Sequence, residues 1–89
     1  MISQSLTIIN KLGLHARAAA KLATLAGHFS SDINISINNK TVDCKSVMSL
    51  MLLAASKGTN IEVSSHGSDE DTALATVVQL INNRFDEDE

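Results

Sequence analysis

The residues able to do chemistry gather in one short stretch, Asn10-Lys11-Leu12-Gly13-Leu14-His15-Ala16-Arg17-Ala18-Ala19-Ala20. His15 carries a nucleophilic imidazole that changes protonation near neutral pH. Arg17, two residues on, is a permanently charged fork of donors matched to phosphate oxygens. The alanine run reads as a helix, and a helix start offers unpaired backbone N–H groups and the positive end of the macrodipole. Gly13 gives the preceding loop the freedom to present the ring outward. Nucleophile, anion seat and cation within three residues suit a histidine that accepts a phosphoryl group and passes it on. A plain anion-binding loop would share most of these features.

Phosphoryl transfer asks a protein mainly for positioning and charge stabilisation. Positive charge from Arg17 and the helix start favours a neutral attacking nitrogen, then stabilises the dianionic group once it is in place. The P–N bond of a phosphohistidine is labile, which suits a relay better than a permanent mark.

The elements that must hold this group follow from hydrophobic periodicity. Ser3 to Asn10 reads as a first strand, and Lys11–Leu14 as a loop. A helix from about Ala16 to Ala26 buries Ala19, Leu22, Ala23 and Ala26 and stops at Gly27. Asp32 to Asn38 alternates, with Ile33, Ile35 and Ile37 on one side. Asn38-Asn39-Lys40 is turn chemistry, and Thr41 to Cys44 returns as the second arm of a hairpin. A second helix is expected over Ser46 to Ser56, ending near Gly58, and a further strand over Asn60 to His66. Ser68 is the expected cap of a last helix whose first turn holds Asp69, Glu70 and Asp71 and whose buried stripe is Leu74, Val77, Val78, Ile81 and Phe85. The tail Asp86-Glu87-Asp88-Glu89 reads as a solvated, frayed end. The order β-α-β-β-α-β-α predicts an α+β open-faced sandwich, with three helices on one face of a four-stranded, mostly antiparallel sheet.

Composition narrows the class. The chain has 89 residues, 44% of them hydrophobic, and two phenylalanines are its only aromatics, so one domain over residues 1–89 with an aliphatic core is expected. A net charge of -3 and the shortage of aromatic platforms argue against nucleic acid as a partner. No run reaches membrane-span length and the N-terminus lacks a signal-peptide pattern, so a cytoplasmic location away from membranes is expected. Cys44 stands alone and cannot form an internal disulfide; it reads as inert and partly buried. His28 and His66 read as surface or strand-end residues, and no ligand spacing links them with His15 and Cys44, so no metal and no cofactor are expected.

Lys11-Leu12-Gly13-Leu14-His15-Ala16-Arg17 resembles the active-site signature of the HPr family, the phosphocarriers of the bacterial phosphoenolpyruvate-dependent phosphotransferase system. Lys45 to Ala55 is similar to that family's second signature, and the similarity covers essentially the whole chain. Within the family, Asn10-Lys11-Leu12-Gly13, Met51–Ala55 and the acidic end after Phe85 look most like the nitrogen-related NPr branch. A sugar-branch carrier and a binding module switched by phosphorylation are the alternatives. The resemblance implies an HPr-like fold and a carrier without turnover of its own. His15 would be phosphorylated at Nδ1 by an Enzyme I-type donor and discharged to an EIIA-type acceptor, with Arg17 stabilising the phosphoryl group. It also implies a docking face that includes Val47 and Met48. Ala18 stands where the family commonly has proline, a change expected to loosen the helix start and tune the site.

Val47, Met48, Met51 and Leu52 are more apolar residues than one buried stripe on a short helix can use, so some should be exposed for docking. Ala16, Ala20 and Thr24, outward on the first helix, would complete a flat face with Val47, Met48 and Met51. Ser46 reads first as the N-cap of the second helix. It also matches a position phosphorylated for regulation in some family members. A monomer is expected.

Overall fold

The computed structural model describes residues 1–88. Its elements are β1 (Ile2–Thr7), α1 (Ala16–Ala26), β2 (Asp32–Ile37), β3 (Lys40–Asp43), α2 (Val47–Leu53), β4 (Asn60–His66) and α3 (Glu70–Asn82), followed by a short helical turn at Arg84–Asp86. The strands form one antiparallel sheet in the order β1-β4-β2-β3.

Period-two alternation sets the register. Leu6 pairs with Ile61, Val63 with Ile35, and Ser65 with Ile33, so the inward positions of three strands stack in rows. Leu6, Ile33, Ile35, Ile61 and Val63 are buried beneath the helices together with Leu22, Leu50, Val77 and Ile81. The other face is polar. Ser3 opposes Ser64, Ser5 opposes Glu62, and the Thr7 hydroxyl donates to Asn60 Oδ1 at 2.9 Å. One face apolar and one polar is what a sheet covered on a single side requires. The hairpin turns on Asn38, whose φ of +56° is the left-handed geometry expected of asparagine in a two-residue turn.

Several boundaries differ from the sequence expectations. β1 ends at Thr7 and not at Asn10, because Ile8 leaves the ladder to exchange hydrogen bonds with Gly58 and Thr59 at 2.8 and 3.0 Å. α2 stops at Leu53, short of Ser56, because Ala54 turns left-handed with φ +56°. Ser68 is not the cap of α3; Asp69 takes that position, and its carboxylate turns away from the helix. It accepts from the backbone N–H groups of Ser30 and Ser31, each at 2.9 Å, and from the Ser31 hydroxyl. Those donors hold the Asp69 carboxyl below its ordinary range, the Ser31 hydroxyl contributing most. Val78 is half-buried, and Phe85 is buried but lies beyond α3 in the terminal turn. Cys44 is fully buried, and that burial, with Asp43 beside it, pushes its thiol up to about 12.

Candidate functional site

The loop that carries His15 is closed by its own sequence. Asn10 and Gly13 stand at the first and last places of a four-residue turn, the pattern that favours asparagine and glycine there. Gly13 N–H donates to Asn10 O at 3.2 Å, and Asn10 Nδ2 returns a bond to Gly13 O at 2.7 Å. Gly13 has φ +66°, and a Cβ on it would lie 2.5 Å from Ala55 O and 2.8 Å from Ser56 Cα. The loop is thus seated directly on the chain leaving α2. The left-handed Ala54 presents the Ala55 carbonyl, which accepts from Leu14 N–H at 2.8 Å, and Leu14 is buried.

His15 follows at the N-cap of α1, with extended backbone (φ -77°, ψ 178°), and its side chain makes no cap bond to the helix. The usual cap residues accept from the N–H of the second or third helical residue; here the ring points elsewhere. Neither Ala16, Arg17 nor Ala18 is acidic, so no carboxylate in the first turn competes for the positive end of the dipole. The helix is regular from Ala16 onward, with Ala19 N–H donating to His15 O at 2.8 Å. Ala18, which stands where the family it resembles commonly has proline, is fully buried in the core.

His15 and Arg17 face a common cleft of about 740 Å³, lined also by Lys11, Leu12, Ala16, Glu87 and Asp88. The two residues singled out for phosphoryl chemistry are therefore brought to one site. The last two lining residues are a correction. The acidic tail is not a frayed end up to Asp88: Asp86 and Asp88 are solvated as expected, but Glu87 is half-buried, and Glu89 lies outside the described residues. Arg84, Phe85 and Asp86 have φ values of 57, 54 and 64°, three left-handed residues in succession that fold the chain back over α1. Left-handed backbone costs a residue with a Cβ about 1–2 kcal/mol. Complete burial of Phe85 and a bond from Lys21 Nζ to Phe85 O at 3.0 Å offset that strain.

Glu87 consequently reaches the ring. Its Oε2 contacts His15 Nε2, and its Oε1 accepts from Asn10 Nδ2 at 3.0 Å. Partial desolvation pushes the Glu87 carboxyl upward. The hydrogen bonds from Asn10 and His15, together with attraction to His15 and Arg17, outweigh it and hold the group below its ordinary range. Sequence reasoning missed both Glu87 and the second role of Asn10. A signal was present for each: the Asn–Gly turn spacing, and an apolar aromatic at 85 able to anchor whatever follows it.

The six residues assigned to docking, Ala16, Ala20, Thr24, Val47, Met48 and Met51, are all exposed, on two helices packed against each other. Met48 is 70% exposed, and Leu52 and Leu12, at 69% and 66%, extend the apolar surface beyond them. Ser46 caps α2, its Oγ accepting from Ser49 N–H at 3.2 Å. His28 and His66 are exposed. Among the described residues no helix is long and apolar enough to cross a membrane.

A family model described as the PTS HPr component phosphorylation site matches residues 2–83. The phosphocarrier protein HPr of Pseudomonas aeruginosa is 52% identical, with all of both chains covered. The phosphocarrier protein NPr of Shewanella violacea is 42% identical over 97% of this chain and 94% of its own. Among solved structures, HPr-C-His from Thermoanaerobacter tengcongensis superposes with a TM-score of 0.96 at 40% identity, covering all of both chains.

Proposed function

The chain belongs to the HPr family and is a phosphocarrier of the phosphotransferase system, not a catalytic enzyme; on that footing we propose that His15 is the residue that carries the phosphoryl group. The observation that carries this reading is the placement of His15 at an uncapped helix start, in one cleft with Arg17. The open N–H groups of α1 and the Arg17 guanidinium supply counter-charge for the transferred group. The donor is an Enzyme I-type phosphohistidine and the acceptor an EIIA-type histidine. Each docks on the exposed face of Ala16, Ala20, Thr24, Val47, Met48 and Met51, where small and flexible side chains permit close approach. Carrier, donor and acceptor work in the cytoplasm, and the carrier is a monomer. Ser46 acts as a helix cap; phosphorylation there would add charge to a helix N-terminus that tolerates it.

Asn10–Gly13, Met51–Ala55 and the acidic end support the nitrogen-related branch. A sugar-branch carrier is the second reading, favoured by the HPr name of the Pseudomonas aeruginosa relative. Intact mass after incubation with phosphoenolpyruvate and nitrogen-type or sugar-type Enzyme I tests both. One acid-labile phosphoryl group on the wild type, absent from His15→Ala, is expected, with faster loading by the nitrogen-type donor. Labelling of His15→Ala would overturn the site, and preference for the sugar-type donor would overturn the branch.

A further inference from the structure

Glu87 meets the carrier ring on the nitrogen that the proposed transfer leaves unmodified. Its Oε2 contacts Nε2 of His15, while Oε1 is held by Asn10, a fully buried side chain whose amide is itself anchored on Gly13 O. The carboxylate is thus fixed at two points, by the ring and by the loop that presents the ring. An ionised carboxylate only accepts hydrogen bonds, so Nε2 carries the proton and the lone pair of the neutral ring lies on Nδ1. Ionisation is favoured because the same bonds hold the Glu87 carboxyl below its ordinary range.

We propose that Glu87 is a positioning residue that keeps the Nε2 proton on the His15 ring throughout the transfer cycle. The proposal rests on the reading of His15 as the phosphoryl carrier. When Nδ1 attacks phosphorus, a P–N bond forms, the bond from phosphorus to the donor nitrogen breaks, and its electron pair returns to the donor. The His15 ring keeps its Nε2 proton and gains positive charge, which the carboxylate faces. On discharge the P–Nδ1 bond breaks, its electron pair returns to Nδ1, and the ring leaves as neutral imidazole with Nε2–H in place. A ring that had lost this proton would have to leave as imidazolate, a far poorer leaving group. Lys11 and Arg17 in the cleft oppose protonation, Glu87 and Asp88 favour it, and Lys21 and Asp86 pair nearby on the turn. Among the described acids, Glu87 is the one in contact with the ring.

The test uses ring-15N-histidine-labelled protein, charged with phosphoenolpyruvate and Enzyme I, as wild type, Glu87→Ala and Glu87→Gln. The 15N shift of Nε2 in the phosphorylated protein at neutral pH is expected to be that of a protonated nitrogen in the wild type. In both variants it should move toward that of a bare nitrogen, because the neutral amide of Gln keeps shape but not charge. Losing one opposite charge shifts such an equilibrium about tenfold, so discharge to an EIIA-type acceptor should slow measurably, by up to about tenfold, in each variant. Variants with the wild-type 15N signal and discharge rate would overturn this inference and leave the carrier reading standing. A wild type that takes no phosphoryl group on His15 would overturn the carrier reading and this inference with it.

Discussion

Replacing Gly13 with alanine should damage the site and the fold together, by an amount the contacts define. Gly13 has φ +66°, and left-handed backbone costs alanine about 1 kcal/mol. The added Cβ would stand 2.5 Å from Ala55 O and 2.8 Å from Ser56 Cα, both backbone atoms with little freedom to retreat. Relief requires the loop to lift from the chain after α2, which breaks the Leu14–Ala55 hydrogen bond, about 1 kcal/mol, and loosens buried Leu14, about 1 kcal/mol more. The sum is about 3 kcal/mol, equivalent to a fall of about 12–24 °C in melting temperature for a domain of this size. Gly58→Ala is the matched control. It also has positive φ (+90°), but its Cβ would meet nothing within 4 Å, so only the backbone cost of about 1 kcal/mol applies. Calorimetry or circular-dichroism melts of the two variants give the difference directly, and phosphoryl loading reports whether the His15 loop has moved. Equal melting temperatures for the two variants would refute the claim that close packing of the loop on Ala55, and not backbone geometry alone, seats the site.

Phe85→Ala should cost about 3–5 kcal/mol in urea unfolding, because a fully buried aromatic is removed from the turn that returns the chain to α1. It should also detach Glu87 from the His15 ring, seen as altered histidine resonances at temperatures where the variant is folded. Cys44, with its thiol pushed up to about 12, should resist iodoacetamide at neutral pH and react only as fast as the structure opens, so denaturant should accelerate labelling in step with unfolding. The Asp69 carboxyl is depressed in the folded state, chiefly by the Ser31 hydroxyl, so its contribution is present above the ordinary carboxylate range. That contribution is lost as pH falls through the depressed folded value. Asp69→Asn should therefore be less stable than the wild type at neutral pH, with the gap closing in acid; a gap independent of pH would contradict the assignment.

The fold was legible where burial alternates with the backbone period. Ile33 and Ile35 in β2, Ile61 and Val63 in β4, and Leu22, Ala23 and Ala26 in α1 fall where their spacing put them. The pairing of His15 with Arg17 was legible because two residues at a helix start share a neighbourhood whatever the remote chain does. Two of the misreadings share a physical origin. α2 stops at Leu53 because Ala54 turns left-handed, and the tail turns at Arg84, Phe85 and Asp86, left-handed as well, with no glycine to announce either. Local preference points the other way at each, and the geometry is held by distant partners: Leu14 N–H on Ala55 O, Lys21 Nζ on Phe85 O, and the burial of Phe85. The run after Phe85 has the composition of a solvated end, and only its anchor and its partners Asn10 and His15 make it part of the site.

The uncapped start of α1 follows from the same division between stability and chemistry. A serine, threonine or aspartate at position 15 would bond the first-turn N–H groups and stabilise the helix by about 1 kcal/mol. On the carrier role proposed for His15, it would also occupy the donors an incoming phosphoryl oxygen needs. His15 leaves them open and turns its Nε2 to Glu87 instead. The stability forgone at the cap is recovered one residue earlier, where Leu14 is buried and bonded to Ala55, and four residues before that, where the Asn10 amide closes the turn. α2 shows the opposite choice at its own start. Ser46 caps it through Ser49 N–H, and the helix leaves Val47, Met48 and Met51 exposed and carries no reactive ring. A helix start can serve its own stability or an outside anion through the same N–H groups, and the residue at the cap decides which.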